Sequence, residues 1–93
     1  MSNVTVRIPT PLRSMTGGAD EVSVGGATVK EALNDLGAKH DGILSKVLDA
    51  KGGVRSFVNV YLGSRNIKAL GGMDAEVKDG DILAIVPAVA GGF

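Results

Sequence analysis

The segment DGDILAIVP, residues 79–87, decides the fold of this 93-residue chain. Asp79 and Gly80 are typical of a turn, and residues 82–86 are all apolar. An apolar run without alternation predicts a strand that is covered on both faces or is flanked by other strands in the centre of a sheet. Pro87 ends the predicted pairing, because proline has no N–H to donate to a neighbouring strand.

Two strands are predicted near the N-terminus. The segment NVTVRI, residues 3–8, alternates apolar and polar side chains, which is the pattern of a half-buried strand that Pro9 and Pro11 then end. A loop with Gly17 and Gly18 at its tip follows. EVSV, residues 21–24, then predicts a second strand that pairs with the first as a hairpin.

One amphipathic helix is predicted within GGATVKEALNDLG, residues 25–37. Thr28 is a suitable N-cap, and Glu31 has the spacing of a capping box. Gly37 is predicted to follow the last helical residue. The apolar stripe of this helix comprises Val29, Ala32, Leu33 and Leu36.

The middle of the chain predicts a shorter helix and two more strands. DGILSKVLDAKGG, residues 41–53, has the apolar spacing of one or two helical turns and is closed by a pair of glycines. FVNVYL, residues 57–62, alternates like a strand, and RNIKAL, residues 65–70, predicts a short edge strand.

This order of elements, β-β-α-(short α)-β-β-β, indicates an α+β protein with a β-grasp (ubiquitin-like) fold. In that fold the last strand pairs parallel to the first in the middle of a mixed sheet of about four to five strands. One main helix packs on one face of the sheet. We place the β-grasp domain at residues 1–86 and a flexible tail at residues 87–93.

Composition argues against several classes of function. Ten basic residues balance ten acidic ones, so charge gives no reason to expect nucleic acid or an anionic membrane as a partner. The chain has no cysteine, hence no thiolate metal site and no cysteine nucleophile, and His40 is its only histidine. No signal peptide or membrane-spanning run is evident, which together with the lack of disulfides indicates a cytoplasmic protein without a metal site of its own.

The face of the sheet opposite the helix is the informative surface. Alternation along residues 57–62 places Phe57, Asn59 and Tyr61 there. The last strand is apolar at every position, so one of its two alternating sets must lie on this face as well. That set is either Ile82, Ala84 and Val86, or Leu83 and Ile85. A contiguous exposed apolar patch on a small domain indicates a partner surface. The residues that we assign to partner docking are Phe57, Asn59, Tyr61, Leu83 and Ile85.

The tail has small side chains and ends in Gly91, Gly92 and Phe93. Residues 88–93 can reach about 20 Å from the domain, and two glycines allow the backbone to enter a narrow channel. Such a tail suits a chain whose own carboxylate enters an enzyme's active site. The alternative is the frayed end that most domains have.

The segment PAVAGG, residues 87–92, combines a proline, small side chains and a pair of glycines directly after the last predicted strand. It matches the carboxy-terminal motif of the MoaD/ThiS family, and the chain resembles the ubiquitin-like sulfur carriers of that family. The segments VRIPTPLR, TGG, FVNVY and DGDILAIVPAVAGG are most similar to the carriers of a thiocarboxylate-dependent cysteine synthesis.

The resemblance implies a protein cosubstrate that is not itself an enzyme and binds no cofactor. An E1-like adenylyltransferase would use ATP and magnesium to activate the carboxylate of Gly92, and a sulfur donor would convert it to a thiocarboxylate. Ala90 and Gly91 would thread the active-site channel. The other implied partners are a pyridoxal-phosphate-dependent cysteine synthase-like enzyme and a zinc peptidase of the JAMM type.

Two other functions remain open at the level of sequence. One is the small subunit of molybdopterin synthase, whose partner would be the large subunit of that enzyme. The other is a non-covalent ubiquitin-like adaptor that binds through its sheet and has an inert tail.

Phe93 departs from the pattern of an active carrier, because the family's motif ends at the second glycine. The processing site is then the bond between Gly92 and Phe93. We expect a peptidase to remove Phe93 and expose Gly92, and the alternative is an inactive chain.

Overall fold

A computed structural model describes residues 2–87 of the chain. Its strands are β1 (Ser2–Arg7), β2 (Glu21–Gly26), β3 (Val58–Leu62), β4 (Arg65–Asn66) and β5 (Ile82–Pro87). Its α-helices are α1 (Val29–Lys39) and α2 (Leu44–Val47). Three short 3₁₀ helices occupy Thr10–Thr16, Ile67–Leu70 and Gly72–Asp74.

The five strands form one mixed sheet in the order β2-β1-β5-β3-β4. β5 lies between β1, with which it is parallel, and β3, with which it is antiparallel. The N-terminal hairpin of β1 and β2 is antiparallel, as predicted. The predicted β-grasp fold, with the last strand parallel to the first in the sheet centre, is therefore confirmed.

The hydrophobic core lies between α1 and one face of the sheet. The apolar stripe of α1 is fully buried, as predicted, and Val4, Val6, Val58 and Val60 are buried against it from the sheet. At about 1.5–3 kcal/mol for each fully buried aliphatic side chain, this layer is the main source of the free energy of folding.

The N-terminus of α1 is capped as the sequence predicts. The Oγ1 of Thr28 accepts a hydrogen bond from the backbone N–H of Glu31 at 3.2 Å. The Oε1 of Glu31 accepts in turn from the N–H of Ala27 at 2.9 Å. The first bond satisfies a backbone donor that the first helical turn leaves unpaired. The second reaches the residue before the N-cap, and not the N-cap itself as in a standard capping box.

The prediction that α1 ends before Gly37 is wrong. The helix continues to Lys39 and is capped by His40, whose N–H donates to the carbonyl of Leu36 at 2.9 Å. A Cβ added at Gly37 would lie 2.5 Å from Cδ1 of Leu44. Gly37 therefore serves the close approach of α2 to α1 and does not mark the helix end.

The predicted edge strand over residues 65–70 is shorter in the structure. β4 contains two residues, and a 3₁₀ helix then begins because the Oδ1 of Asn66 caps it by accepting from the N–H of Lys68 at 2.9 Å. Part of the loop predicted after β1 is likewise the 3₁₀ helix Thr10–Thr16, which ends at Gly17 with φ 67°.

β5 includes Pro87, which is paired with Val58, so the strand extends one residue beyond the predicted boundary at residue 86. The remainder of the predicted tail, residues 88–93, lies outside the described residues. Between residues 2 and 87, the chain has no helix with the length and hydropathy needed to span a bilayer.

Candidate docking face and tail exit

The two faces of β5 differ in exposure although all their side chains are apolar. Leu83 and Ile85 point toward α1 and are 0% and 3% exposed. Ile82 and Val86 point the other way and are 37% and 42% exposed, with half-buried Ala84 between them. The face of the sheet opposite α1 is thus apolar where β5 crosses it.

The prediction that Leu83 and Ile85 belong to the docking surface is wrong. Parallel pairing places Leu83 beside Val6, and antiparallel pairing places Ile85 beside Val60. Paired residues in adjacent strands point to the same face of a sheet. Because Val6 and Val60 are buried under α1, their partners in β5 are buried too.

The missed residues, Ile82 and Val86, left one signal in the sequence. They share a face with Ala84, the smallest residue of the strand, whereas the other set consists of one leucine and one isoleucine. A core layer gains more free energy from the larger pair. The difference in side-chain size, and not the periodicity, therefore indicated which set of β5 residues is exposed.

Cross-strand pairing surrounds the exposed part of β5 with the other predicted docking residues. Val86 is paired with Asn59, and Ala84 is paired with Tyr61. Both partners are half-buried, and Phe57, immediately before β3, is 54% exposed. We define the outer face by the six residues that alternation and pairing bring together: Phe57, Asn59, Tyr61, Ile82, Ala84 and Val86.

Two of these residues are held by side-chain contacts. The Oδ1 of Asn59 accepts a hydrogen bond from Nδ2 of Asn66 at 3.2 Å. The guanidinium carbon of Arg55 lies 6.0 Å from the ring centroid of Phe57, while the Nε of Arg55 donates to the carbonyl of Ser45 at 3.0 Å. A cation over an aromatic face limits the freedom of both groups, so the Phe57 ring is partly pre-positioned for a partner.

Charge lies at the margin of the outer face. Arg7 on β1 forms an ion pair with Glu21 on β2 at 3.4 Å, with both side chains more than half exposed. Such a pair contributes little to stability in water, but charges at the rim of an interface influence the rate of association and its salt dependence.

The tail begins at the edge of the outer face. β5 ends at Pro87, directly after Val86, at the end of the sheet where Phe57 leads into β3. A partner that covers the outer face therefore also lies over the start of the tail. The predicted attachment and threading residues, Ala90, Gly91, Gly92 and Phe93, lie outside the described residues.

The described part of the chain contains no cluster of three or more His, Asp or Glu side chains that is able to hold a metal ion. His40 is the half-buried C-cap of α1. Asp35 lies on α1, where hydrogen bonding to the N–H of Gly25 and the nearby Lys39 ammonium hold the pKa of its carboxyl below the usual range against partial burial. It does not belong to the outer face.

Comparison with known proteins agrees with this architecture. Residues 6–92 match the model of the ThiS family. The chain therefore belongs to the ThiS family, the family that the carboxy-terminal motif had indicated. The matched region ends at Gly92, immediately before Phe93.

Individual relatives narrow the class to sulfur carriers. The chain is 42% identical over 92 residues to sulfur carrier protein CysO of Mycobacterium tuberculosis, covering 97% of this chain and 99% of the relative. The crystal structure of that CysO has a TM-score of 0.89 with 40% identity, covering 94% of this chain and all of the other. A chain in the crystal structure of an Amycolatopsis orientalis BexX/CysO complex has a TM-score of 0.90 with 47% identity. This match covers 96% of the present chain and 99% of the other.

The chain is thus a homologue of CysO over nearly its full length, and the predicted sulfur-carrier role in cysteine biosynthesis is confirmed at the level that homology implies. These relatives are small carrier proteins and not catalysts.

Proposed function

We propose that this chain carries sulfur for cysteine biosynthesis as a thiocarboxylate on Gly92, formed after Phe93 has been removed. The observation that supports it most directly is the position of the outer face beside the tail exit, in a chain that is homologous to CysO and matches the ThiS family through Gly92. One partner is then able to hold the domain and receive its terminus at the same time.

The chemistry takes place at the terminal carboxyl group. An oxygen of the Gly92 carboxylate attacks the α-phosphorus of ATP, and pyrophosphate leaves to give an acyl-adenylate. A sulfur nucleophile then attacks the carbonyl carbon, and AMP leaves with the bonding electron pair. An E1-like adenylyltransferase supplies ATP, Mg²⁺ and the active site, while the carrier supplies only the acyl group.

The tail supplies length and a backbone with small side chains. Ala90 and Gly91 thread the channel, because a backbone without bulky side chains passes where a larger residue would clash. The domain supplies affinity through Phe57, Ile82 and Val86, which are exposed, apolar and on the same face of the sheet. Large apolar side chains near the centre of a patch usually dominate the free energy of binding.

Any residue after Gly92 has to be removed before Gly92 is activated. Until then the carbonyl group of Gly92 is part of a peptide bond, so Gly92 has no carboxylate that reacts with ATP. Here that residue is Phe93. A zinc peptidase of the JAMM type adds water across the peptide bond between Gly92 and Phe93, releasing phenylalanine and a new carboxylate on Gly92.

The remaining partner is the enzyme that accepts the sulfur. A pyridoxal-phosphate-dependent cysteine synthase-like enzyme would bind an amino acid that has a leaving group on its side-chain carbon. The thiocarboxylate sulfur would form a bond to that carbon in place of the leaving group, which departs with the electron pair of the bond that breaks. Complex formation with a second protein is known for the related Amycolatopsis orientalis CysO, which was crystallised with BexX. In this cycle the chain is a cosubstrate.

The test compares the 93-residue chain with a chain that ends at Gly92. Each is incubated with the adenylyltransferase of the same genome, ATP, Mg²⁺ and a sulfide donor, and intact mass reports replacement of oxygen by sulfur. We expect a thiocarboxylate only on the chain that ends at Gly92. The Phe93→Ala variant is the matched control and also stays unmodified, because an extra residue of any kind blocks the Gly92 carboxyl.

Sulfur transfer to neither chain would overturn the carrier proposal. Equal transfer to both would overturn the need for trimming. The JAMM-type peptidase of the same genome is tested separately, and a 93-residue chain that keeps Phe93 in its presence would contradict the processing step.

A further inference from the structure

An apolar cavity of about 240 Å³ opens on the side of the sheet that faces α1, between β3 and the 3₁₀ helices that follow β4. Its walls include Val54, Val60, Ile67 and Met73, and Lys68 is the one charged residue among those that line it. The lining favours an uncharged apolar group, since a cation there would meet the Lys68 ammonium. This cavity is separate from the outer face, because Val60 points to the opposite side of β3 from Asn59 and Tyr61.

The size of the cavity suits an aromatic ring. A cavity of about 150 Å³ in an unrelated protein is enough to bind benzene, so 240 Å³ accommodates one phenyl group. Beyond Pro87, the chain offers one such group, on Phe93; the other tail residues are alanine, valine and glycine. Their side chains are too small to fill the space.

The tail starts close enough to reach the cavity. Pro87 is paired with Val58 on β3, and Val60 lies two residues further along that strand, about 7 Å away. Val54 belongs to the segment that enters β3 at the same end of the sheet. Six residues, 88–93, span about 20 Å when extended, which allows the tail to turn around the end of β3 and place its aromatic ring in the cavity.

We propose that the cavity binds the phenyl ring of Phe93, so that the untrimmed tail folds back onto its own domain. The gain from burying one aromatic ring and the entropic cost of closing a short loop are of the same order, so docked and undocked tails coexist. Docking holds the bond between Gly92 and Phe93 against the domain, and trimming proceeds from the undocked tail. This consequence for trimming rests on the proposed function, whereas the docking itself does not.

The test uses methyl NMR spectra of the 93-residue chain and of its Phe93→Ala variant. A docked ring shifts nearby methyl resonances through its ring current. We expect differences at Val54, Val60, Ile67 and Met73, and none at Ile82 or Val86. Differences confined to Ile82 and Val86 would place the ring on the outer face and overturn the proposal, and so would the absence of any difference.

A second measurement uses Phe93→Trp, because the chain contains no tryptophan and the new indole reports its own environment. Val54→Phe fills the cavity and is expected to shift the indole emission toward that of a solvent-exposed tail. Val86→Phe is the matched control, which adds the same ring to the outer face and leaves the emission unchanged. Equal emission in both variants would overturn the proposal, and emission that changes on dilution would assign the contact to a second copy of the chain.

The rate at which carboxypeptidase releases residue 93 provides a functional readout. In the Val54→Phe variant we expect release of phenylalanine to be about twofold faster, the factor for a tail that is docked roughly half of the time. If Val54→Phe fails to fold, the comparison with Phe93→Ala still decides the question. None of these measurements involves sulfur transfer, so their failure and that of the sulfur-carrier proposal are distinguishable.

Discussion

The two faces of β5 are the most instructive comparison in this molecule. Leu83 and Ile85 on one face and Ile82 and Val86 on the other have nearly the same chemistry, yet the first pair is buried and the second is exposed. α1 covers the first pair, and no part of the described chain covers the second to the same extent. The buried pair, Leu83 and Ile85, therefore contributes to the stability of the fold, and the exposed pair, Ile82 and Val86, is available for binding a partner.

This comparison leads to separable effects of mutation. A truncation on the inner face removes packing in the folded state and lowers the free energy of unfolding. A change on the outer face leaves that quantity nearly constant and alters the affinity for a partner. The predictions below test this separation.

The largest expected effect is that of Leu83→Ala. Leu83 is completely buried between β1 and β3, so its truncation removes apolar contacts and leaves a cavity. We expect the free energy of unfolding to fall by about 2–5 kcal/mol, measured by chemical denaturation. The matched variant Val86→Ala on the outer face is expected to change it by less than about 0.5 kcal/mol. Similar losses in the two variants would remove the distinction between the faces.

A smaller effect is expected for Val86→Asp, measured as activation by the adenylyltransferase. The carboxylate disrupts an exposed apolar surface next to the tail exit without entering the core. We expect the KM for the carrier to rise about tenfold, which corresponds to about 1.4 kcal/mol of binding free energy.

Two controls accompany this variant. Its denaturation midpoint should match that of the unmodified chain, and Asn34→Asp, which adds a carboxylate to the exposed side of α1 on the opposite side of the sheet, should leave the KM unchanged. An unaltered KM in Val86→Asp would show that the adenylyltransferase does not use the outer face.

The smallest expected effect is on the pH dependence of stability, through a contact of α1, the helix that covers the inner face of the sheet. The carboxylate of Asp35 accepts from the N–H of Gly25 at 2.8 Å and lies 3.4 Å from the Nζ of Lys39, which ties α1 to β2. These contacts lower the pKa of Asp35 in the folded chain. Their contribution to stability is therefore complete above the unfolded value, near pH 4, and is lost as the pH falls through the lower folded value.

Asp35→Asn tests this dependence. We expect the unmodified chain to lose more stability than the variant when denaturation is compared between neutral pH and acid below pH 4. Asp20→Asn, which removes an exposed carboxylate next to the start of β2, controls for the change in net charge. Identical pH profiles for Asp35→Asn and the unmodified chain would show that the tie between α1 and β2 contributes nothing.

The sequence predicted the fold because its local signals agree with one another. Alternation in β1 and β3 identified the inner sets, and Thr28 with Glu31 identified the start of α1. Gly37 misled the prediction of the helix end, since a glycine required by packing against Leu44 looks the same in sequence as one required by a left-handed cap. Local patterns report the conformation of a segment and not its neighbours.

By itself the sequence determined the order of elements, the core positions of the alternating strands, and the family, through the motif at residues 87–92. The tertiary structure decided which face of β5 is exposed, for which the sequence offered only a difference in side-chain size, and it alone showed that an apolar cavity forms beside β3. The physical reason is that a uniformly apolar strand carries no periodic signal. Its orientation is set by the register in which Leu83 lies beside Val6, and a shift of one residue would exchange the two faces.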